Sequence, residues 1–271
     1  MATRFENIQW VIQRNITNEK DLQQLRIAFG KTGVDYIEIE IIPFSHELPL
    51  FKRDKHSIFY GSTTMGELVM ADHSLNTGFF LDPASFSMAN YFAKWGSHML
   101  NYGAMVTSFN ELMSQNYDAN KLLFIRPDDD NKSFSGEVKQ YGELKQWFEV
   151  LKAVENTSLS LDSTIIVSEP YQLRYEWRLW IVNKQVVAAS KYRENFRLKK
   201  ERGCPPEVIL FAEQRCLEYT PHDLFVMDIC ETGGSYYIVE CGCLNSAGFY
   251  DADISAIVEQ VTGYFPVMIS R

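Results

Sequence analysis

Two carboxylates near the C-terminus are unusual for the segments that carry them. In FVMDICETGGSYYIVE, Asp228 interrupts one apolar run and Glu240 closes the next. A carboxylate in a buried strand is costly unless a cation or a metal answers it. The two runs read as a hairpin around Gly233-Gly234. With a three-residue loop, Gly233-Gly234-Ser235, Asp228 lies directly opposite Glu240 on one face. A loop one residue longer or shorter puts them on opposite faces. Hard oxygens converging from adjacent strands suit Mg²⁺ shared with nucleotide phosphates. The plainer alternative is a pair of strand-end carboxylates in water.

Cations precede this pair at intervals that suit a phosphate chain. Arg126 ends the apolar run LLFIR, and the polar loop after it presents Lys132. Backbone amides near Ser133, Ser135 and Gly136 could cradle phosphate beside that lysine, although a solvated turn has the same composition. Neither the Walker spacing nor Gly-x-Gly-x-x-Gly is present. In YEWRLWIV, Glu176 and Arg178 alternate along a strand and share a face, and Lys191 follows at the end of the next strand. Arg178 and Lys191 suit phosphates and Glu176 suits ribose hydroxyls; a structural Glu176–Arg178 ion pair is the competing reading. The five histidines fall into no metal or triad spacing. Cys241 and Cys243 lack a second pair to make a zinc site, so the five cysteines read as buried thiols in a reducing compartment.

The elements that must position these groups follow from periodicity. Residues 8–13 read as a strand, 19–29 as a helix and 36–42 and 57–60 as further strands, which gives a small α/β lobe over 1–85. Over 86–271, helices are expected from Ser87 and from Thr107 or Ser108, and over 141–154, 207–217 and 254–265. Strands are expected at 122–126, 164–168, 177–182, 186–190, 224–230 and 236–240. Lys191–Arg202 reads as a solvated basic loop, with a lid over an acidic peptide or carboxylate substrate as the functional alternative. The class is α+β with at least two lobes.

In this order, the motifs resemble the ATP-grasp superfamily, and within it the phage and bacterial clade in which arginine replaces the first nucleotide lysine, the R-two-K clade. The resemblance rests on Arg126 with Lys132 in FIRPDDDNKSFSG, Glu176 and Arg178 in YEWRLW, Lys191 after VVAAS, and Asp228 and Glu240 followed by NSAGFY. It implies two α+β lobes clasping ATP behind an N-terminal lobe, with adenine in a hinge at Ser168, Glu169 and Pro170. Phosphates would lie on Arg126, Lys132, Arg178 and Lys191, and ribose on Glu176; Arg178 and Lys132 would be the catalytic cations. Mg²⁺ would sit on Asp228 and Glu240. Gly242 stands where the family usually has asparagine, so Asn245 is the candidate third metal ligand.

The implied chemistry is carboxylate–amine ligation through an acyl phosphate, on small-molecule or peptide substrates. Positioning and charge neutralisation dominate such a reaction. The alternatives are an ATP-binding assembly factor with a protein partner, and nucleotidyl transfer or ligation directed at nucleic acid. A net charge of -9 over 271 residues argues against the last and against anionic membranes. The absence of an apolar leader or span points to the cytoplasm.

Overall fold

A computed structural model describes residues 5–42, 45–128, 134–154 and 159–270. Lys132 lies outside the described residues, as does the rest of 129–133. The chain opens with β1 (Ile8–Gln13), α1 (Glu19–Thr32), β2 (Asp35–Ile39), β3 (His56–Tyr60) and α2 (Thr63–Ala71). β1 pairs in parallel with β2 and β3 in the order β2-β1-β3, and as the middle strand it is buried throughout. Asn18 caps α1 at its start. Gly33 ends it in the left-handed region at φ 69°, donating its N–H to Phe29 O.

Next come α3 (Met88–Trp95), β4 (Met105–Thr107), α4 (Phe109–Met113), β5 (Leu122–Pro127), β6 (Glu137–Gln140), α5 (Tyr141–Ala153) and β7 (Ile165–Ser168). These strands form an antiparallel sheet ordered β4-β7-β5-β6. Alternation along β5 decides its two faces. Leu123 and Ile125 pack with Phe109, Tyr141 and Leu144 under α4 and α5, while Phe124 and Arg126 project from the other side. β4 is too short, and β6 too short and too polar, to read from pattern; pairing with neighbouring strands makes them strands.

The C-terminal part holds β8 (Tyr175–Val182), β9 (Gln185–Glu194), β10 (Arg197–Arg202), α6 (Pro206–Glu218), β11 (Leu224–Thr232), β12 (Ser235–Cys243) and α7 (Ile254–Ile269). Its antiparallel sheet runs β10-β9-β8-β11-β12. On β8, Trp177, Leu179 and Ile181 pack toward α3 and α6. Trp180 and Val182 pack on the opposite face with α7 and the N-terminal core. That second face also carries Glu176 and Arg178, at the end of β8 away from Trp180 and Val182. α7 joins the parallel sheet to the rest of the molecule: it packs along α1, and Trp10 Nε1 donates to Thr262 Oγ1 at 2.9 Å.

The basic stretch departs from its expected form. Residues 197–202 are β10, paired to β9 through a two-residue turn at Asn195 and Phe196, both at positive φ. Its charges are partly neutralised within the hairpin, because Lys199 bonds Glu194 at 2.6 Å and Glu201 at 3.2 Å. Strand pairing fixes what the charge pattern alone reads as a loop.

Candidate active site

Cross-strand register assembles the polar row. Asp228 of β11 sits beside Arg178 of β8 and opposite Glu240 of β12, so three strands place one charged residue each in line. The hairpin achieves this differently from the expected three-residue loop. Gly233 and Gly234, at φ 59° and 77°, form a two-residue turn, with Thr232 paired to Ser235. That loop alone would misalign the carboxylates. A bulge at Val239 adds the missing residue, so Ile229 pairs with Ile238 while Asp228 still meets Glu240.

Each carboxylate is held by an arginine. Arg178 grips Asp228 with two parallel bonds, Nε to Oδ1 and Nη2 to Oδ2, both 2.8 Å. Burial works against the Arg178 charge, but Asp228 overrides it and holds the guanidinium well above its ordinary value. Arg126 reaches from β5 across to β12, where Nη2 bonds Glu240 Oε2 and Nη1 donates to Val239 O at 3.3 Å. The Tyr192 hydroxyl lies 3.1 Å from Glu176 Oε2 and 3.3 Å from Asp228 Oδ2. Burial, reinforced by both carboxylates, pushes that phenol well above its usual range. Tyr250 stacks on Tyr192 at 4.8 Å and lies under the Arg178 guanidinium. Its backbone is left-handed, φ 54°, a strained conformation for a bulky residue.

Between the two antiparallel sheets lies a cavity of about 390 Å³. Arg126, Glu176, Tyr192, Arg193 and Glu240 bring charge and polarity to its wall. Leu100, Phe124, Val138, Leu173 and Val239 supply apolar surface, and Ser135 and Gly136 lie at the edge nearest Arg126. Burial pushes the Glu176 carboxyl above its ordinary value; Arg193, 3.7 Å away, pulls the other way. Glu176 Oε1 accepts no hydrogen bond. A buried carboxylate oxygen with only a long ion pair to Arg193, cations and a broad apolar wall together fit a nucleotide. Arg126 and Arg193 would meet its phosphates, and Glu176 its ribose.

Other expected residues fall elsewhere. Lys191 pairs in register with Trp177, hence on the opposite face of the sheet from Glu176 and Arg178. It bonds Glu201 at 2.6 Å and Glu194 at 3.1 Å and does not line the cavity. Burial opposes its charge, but those two carboxylates hold its pKa above the ordinary value. The Ser168 hydroxyl lies 3.2 Å from Asn101 Oδ1, and Glu169 pairs with Lys121 at 3.0 Å. Pro170 follows them between β7 and β8 and lines neither the cavity nor the smaller pocket beside it. Asn245 is buried and structural: its Nδ2 donates to Phe59 O and Gly78 O, and its Oδ1 accepts from Phe80 N. It has no capacity left for a metal. Among the described residues no group of three His, Cys, Asp or Glu side chains assembles a metal site. In this arrangement Asp228 is held by Arg178 and Glu240 by Arg126.

Sequence reading misses Tyr192, Tyr250 and Asn101, and offers Arg193 only as one of the lid cations, with Arg197 and Lys199. Tyr192 and Arg193 lie inside the basic stretch, where charge masks the strand. Tyr250 stands in NSAGFY, which carries the resemblance without assigning a role to the tyrosine.

The family model for the ATP-grasp domain, R-two-K clade family 3, matches residues 78–261. The chain belongs to this family. The whole R-two-K-clade protein shares its fold with solved ATP-grasp structures at low identity. D-cycloserine synthetase DcsG superposes with TM-score 0.61 at 10% identity, over 95% of this chain and 99% of that one. A RimK-domain ATP-grasp protein from Sphaerobacter thermophilus gives 0.57 at 11% identity, over 97% and 100%. The macrocyclase MdnC from Microcystis aeruginosa, bound to its precursor peptide MdnA, gives 0.57 at 12% identity over the same shares. No curated protein matches the sequence closely enough to carry an assignment. None of the described helices in this ATP-grasp protein is long and apolar enough to cross a membrane.

Proposed function

We propose that this protein binds ATP in the cavity between its two antiparallel sheets and uses it to join a carboxylate to an amine. The observation that carries the reading is the meeting of Arg126 and Glu240 from opposite sheets beside Glu176 and Arg193, against a continuous apolar wall. The apolar wall packs the base, Glu176 accepts from ribose hydroxyls, and Arg126, with Arg193, neutralises the triphosphate. Arg178 does not touch the cavity; through Asp228 and Tyr192 it fixes the wall that does. Lys132, between Arg126 and Gly136 in the sequence, is proposed as a further phosphate cation.

Phosphorylation of a substrate carboxylate turns a poor leaving group into a good one, and an amine then attacks the acyl phosphate. The protein's part is to orient the two reactants and balance developing charge. Some proteins of this fold are described with peptide substrates, as MdnC is, and others with small ones. A peptide or small-molecule carboxylate is therefore proposed, in a cytoplasmic setting.

Calorimetry with ATP, with and without Mg²⁺, tests the binding step. The reading requires ATP binding that Arg126→Met weakens, followed by ADP release that depends on adding both a carboxylate and an amine. A second reading is an ATP-binding assembly factor. Its support is the arginine-held state of Asp228 and Glu240, with Gly242 at the position of the family's asparagine. Tight ATP binding with no turnover across carboxylate and amine pairs would favour it.

A further inference from the structure

Among the described residues, four buried side-chain polar atoms lack a hydrogen-bond partner: Asn101 Nδ2, Glu176 Oε1, Trp180 Nε1 and Arg215 Nε. Two of those residues, Asn101 and Glu176, line the same cavity. Glu176 is accounted for above by a ribose. Asn101 has no role in that account, yet it is only 2% exposed and firmly held. Its Oδ1 faces the Ser168 hydroxyl at 3.2 Å. The turn that bears it is pinned to the other sheet, because Leu100 N donates to Ile238 O at 2.9 Å and Ala104 N closes onto Asn101 O at 2.9 Å. Asn101 thus sits where β7 and β12 approach, with one amide edge used and the other unanswered. A buried donor left unpaired costs about 1–3 kcal/mol, and a rigid wall that retains one is shaped for an acceptor brought from outside.

The surroundings identify that acceptor. Ser168 pairs in register with Phe124, and Arg126 lies two residues further along β5 on the same face, roughly 7 Å away. Asn101 itself carries no charge and shares the cavity wall with the apolar side chains Leu100, Phe124 and Leu173. A neutral donor between apolar walls suits a flat heteroaromatic ring with a nitrogen lone pair on its edge.

We infer that Asn101 reads the nucleobase, its Nδ2 donating to a ring nitrogen of adenine while the apolar wall packs the ring faces. This rests on the nucleotide reading above and adds to it the residue that selects the base.

Two variants test it. Asn101→Asp keeps the shape and still accepts from Ser168 but replaces the donor by an acceptor; Asn101→Leu removes both polar atoms. Asn101→Leu should not weaken the ligand-free fold, because the Ser168 hydroxyl also lies 3.1 Å from Glu169 O and turns to it; Asn101→Asp buries a carboxylate and carries its own folding cost. Calorimetry with ATP should show Kd raised about tenfold or more in both variants, the loss of one hydrogen bond to a buried partner. The melting temperature of ligand-free Asn101→Leu should stay at the wild-type value. Unchanged ATP affinity in either variant overturns the inference. So does weaker binding accompanied by a lower ligand-free melting temperature in Asn101→Leu, which would make Asn101 a structural residue. A wild-type protein that binds no ATP overturns the nucleotide reading itself, and that result is distinct from wild-type binding left untouched by the substitutions.

Discussion

Asp228 is the residue on which the two accounts of the site divide. If it serves only to hold a metal, removing it leaves the metal-free protein as stable as before. In the structure it is 3% exposed and neutralises Arg178, itself buried. Breaking such a pair from one side strands the other charge and costs on the order of 3–5 kcal/mol. Asp228→Ala is therefore expected to lower the unfolding free energy by several kcal/mol in EDTA, measured by urea denaturation. Glu176 adds a pH signature. Its folded pKa is raised, by burial before anything else, so the unfolded chain loses this proton first as pH rises. Stability then falls as pH climbs from the ordinary carboxylate range through the folded pKa, and levels off above it. Glu176→Gln removes that penalty and keeps an oxygen for Tyr192. The variant should gain on the wild type as pH increases and lose the advantage in acid, a difference that denaturation curves at pH 4 and pH 8 would show.

At the scale of elements, the junction between the parallel sheet and the rest of the chain hangs on Asn245. One side chain satisfies backbone groups of Phe59, Gly78 and Phe80, all buried. Asn245→Ala leaves two carbonyls and one amide without partners, and a loss of about 3 kcal/mol or more follows. Thermal unfolding of the ligand-free variant measures it, and a melting temperature unchanged from wild type would contradict the role. Strong periodicity makes most of the framework readable. The helix at Tyr141–Ala153, the capping serines before α3 and α4, and the apolar runs of β5, β8, β11 and β12 all follow from local pattern. What local pattern misses is set by non-local pairing. β6 and β10 are polar sequences made strands by their neighbours. The alignment of Asp228 with Glu240 depends on a bulge at Val239, which carries no turn residue to announce it. Lys191 falls outside the cavity for the same kind of reason: bulges on β9 change which residues face it, and spacing counted along one strand cannot show them.

On the scale of the whole molecule, the two antiparallel sheets are joined across the cavity by Arg126 and Glu240, a contact in the wall of the space assigned to the nucleotide. An incoming triphosphate must compete with Glu240 for the same guanidinium. The two proposed identities of Glu240 then make opposite predictions. As a competing anion, it weakens phosphate binding, so Glu240→Gln should tighten ATP roughly fivefold in EDTA, about 1 kcal/mol for one partly exposed ion pair. As a metal ligand recruited only when Mg²⁺ arrives with the nucleotide, it should make the same variant bind Mg·ATP more weakly than wild type. Calorimetry on one variant under two conditions reads both effects. Tightening in EDTA with weakening in Mg²⁺ describes a carboxylate that would pass from arginine to metal when the nucleotide binds, the behaviour the ligase reading needs. Tightening under both conditions describes a carboxylate that never leaves Arg126, which is what an ATP-binding assembly factor without turnover requires.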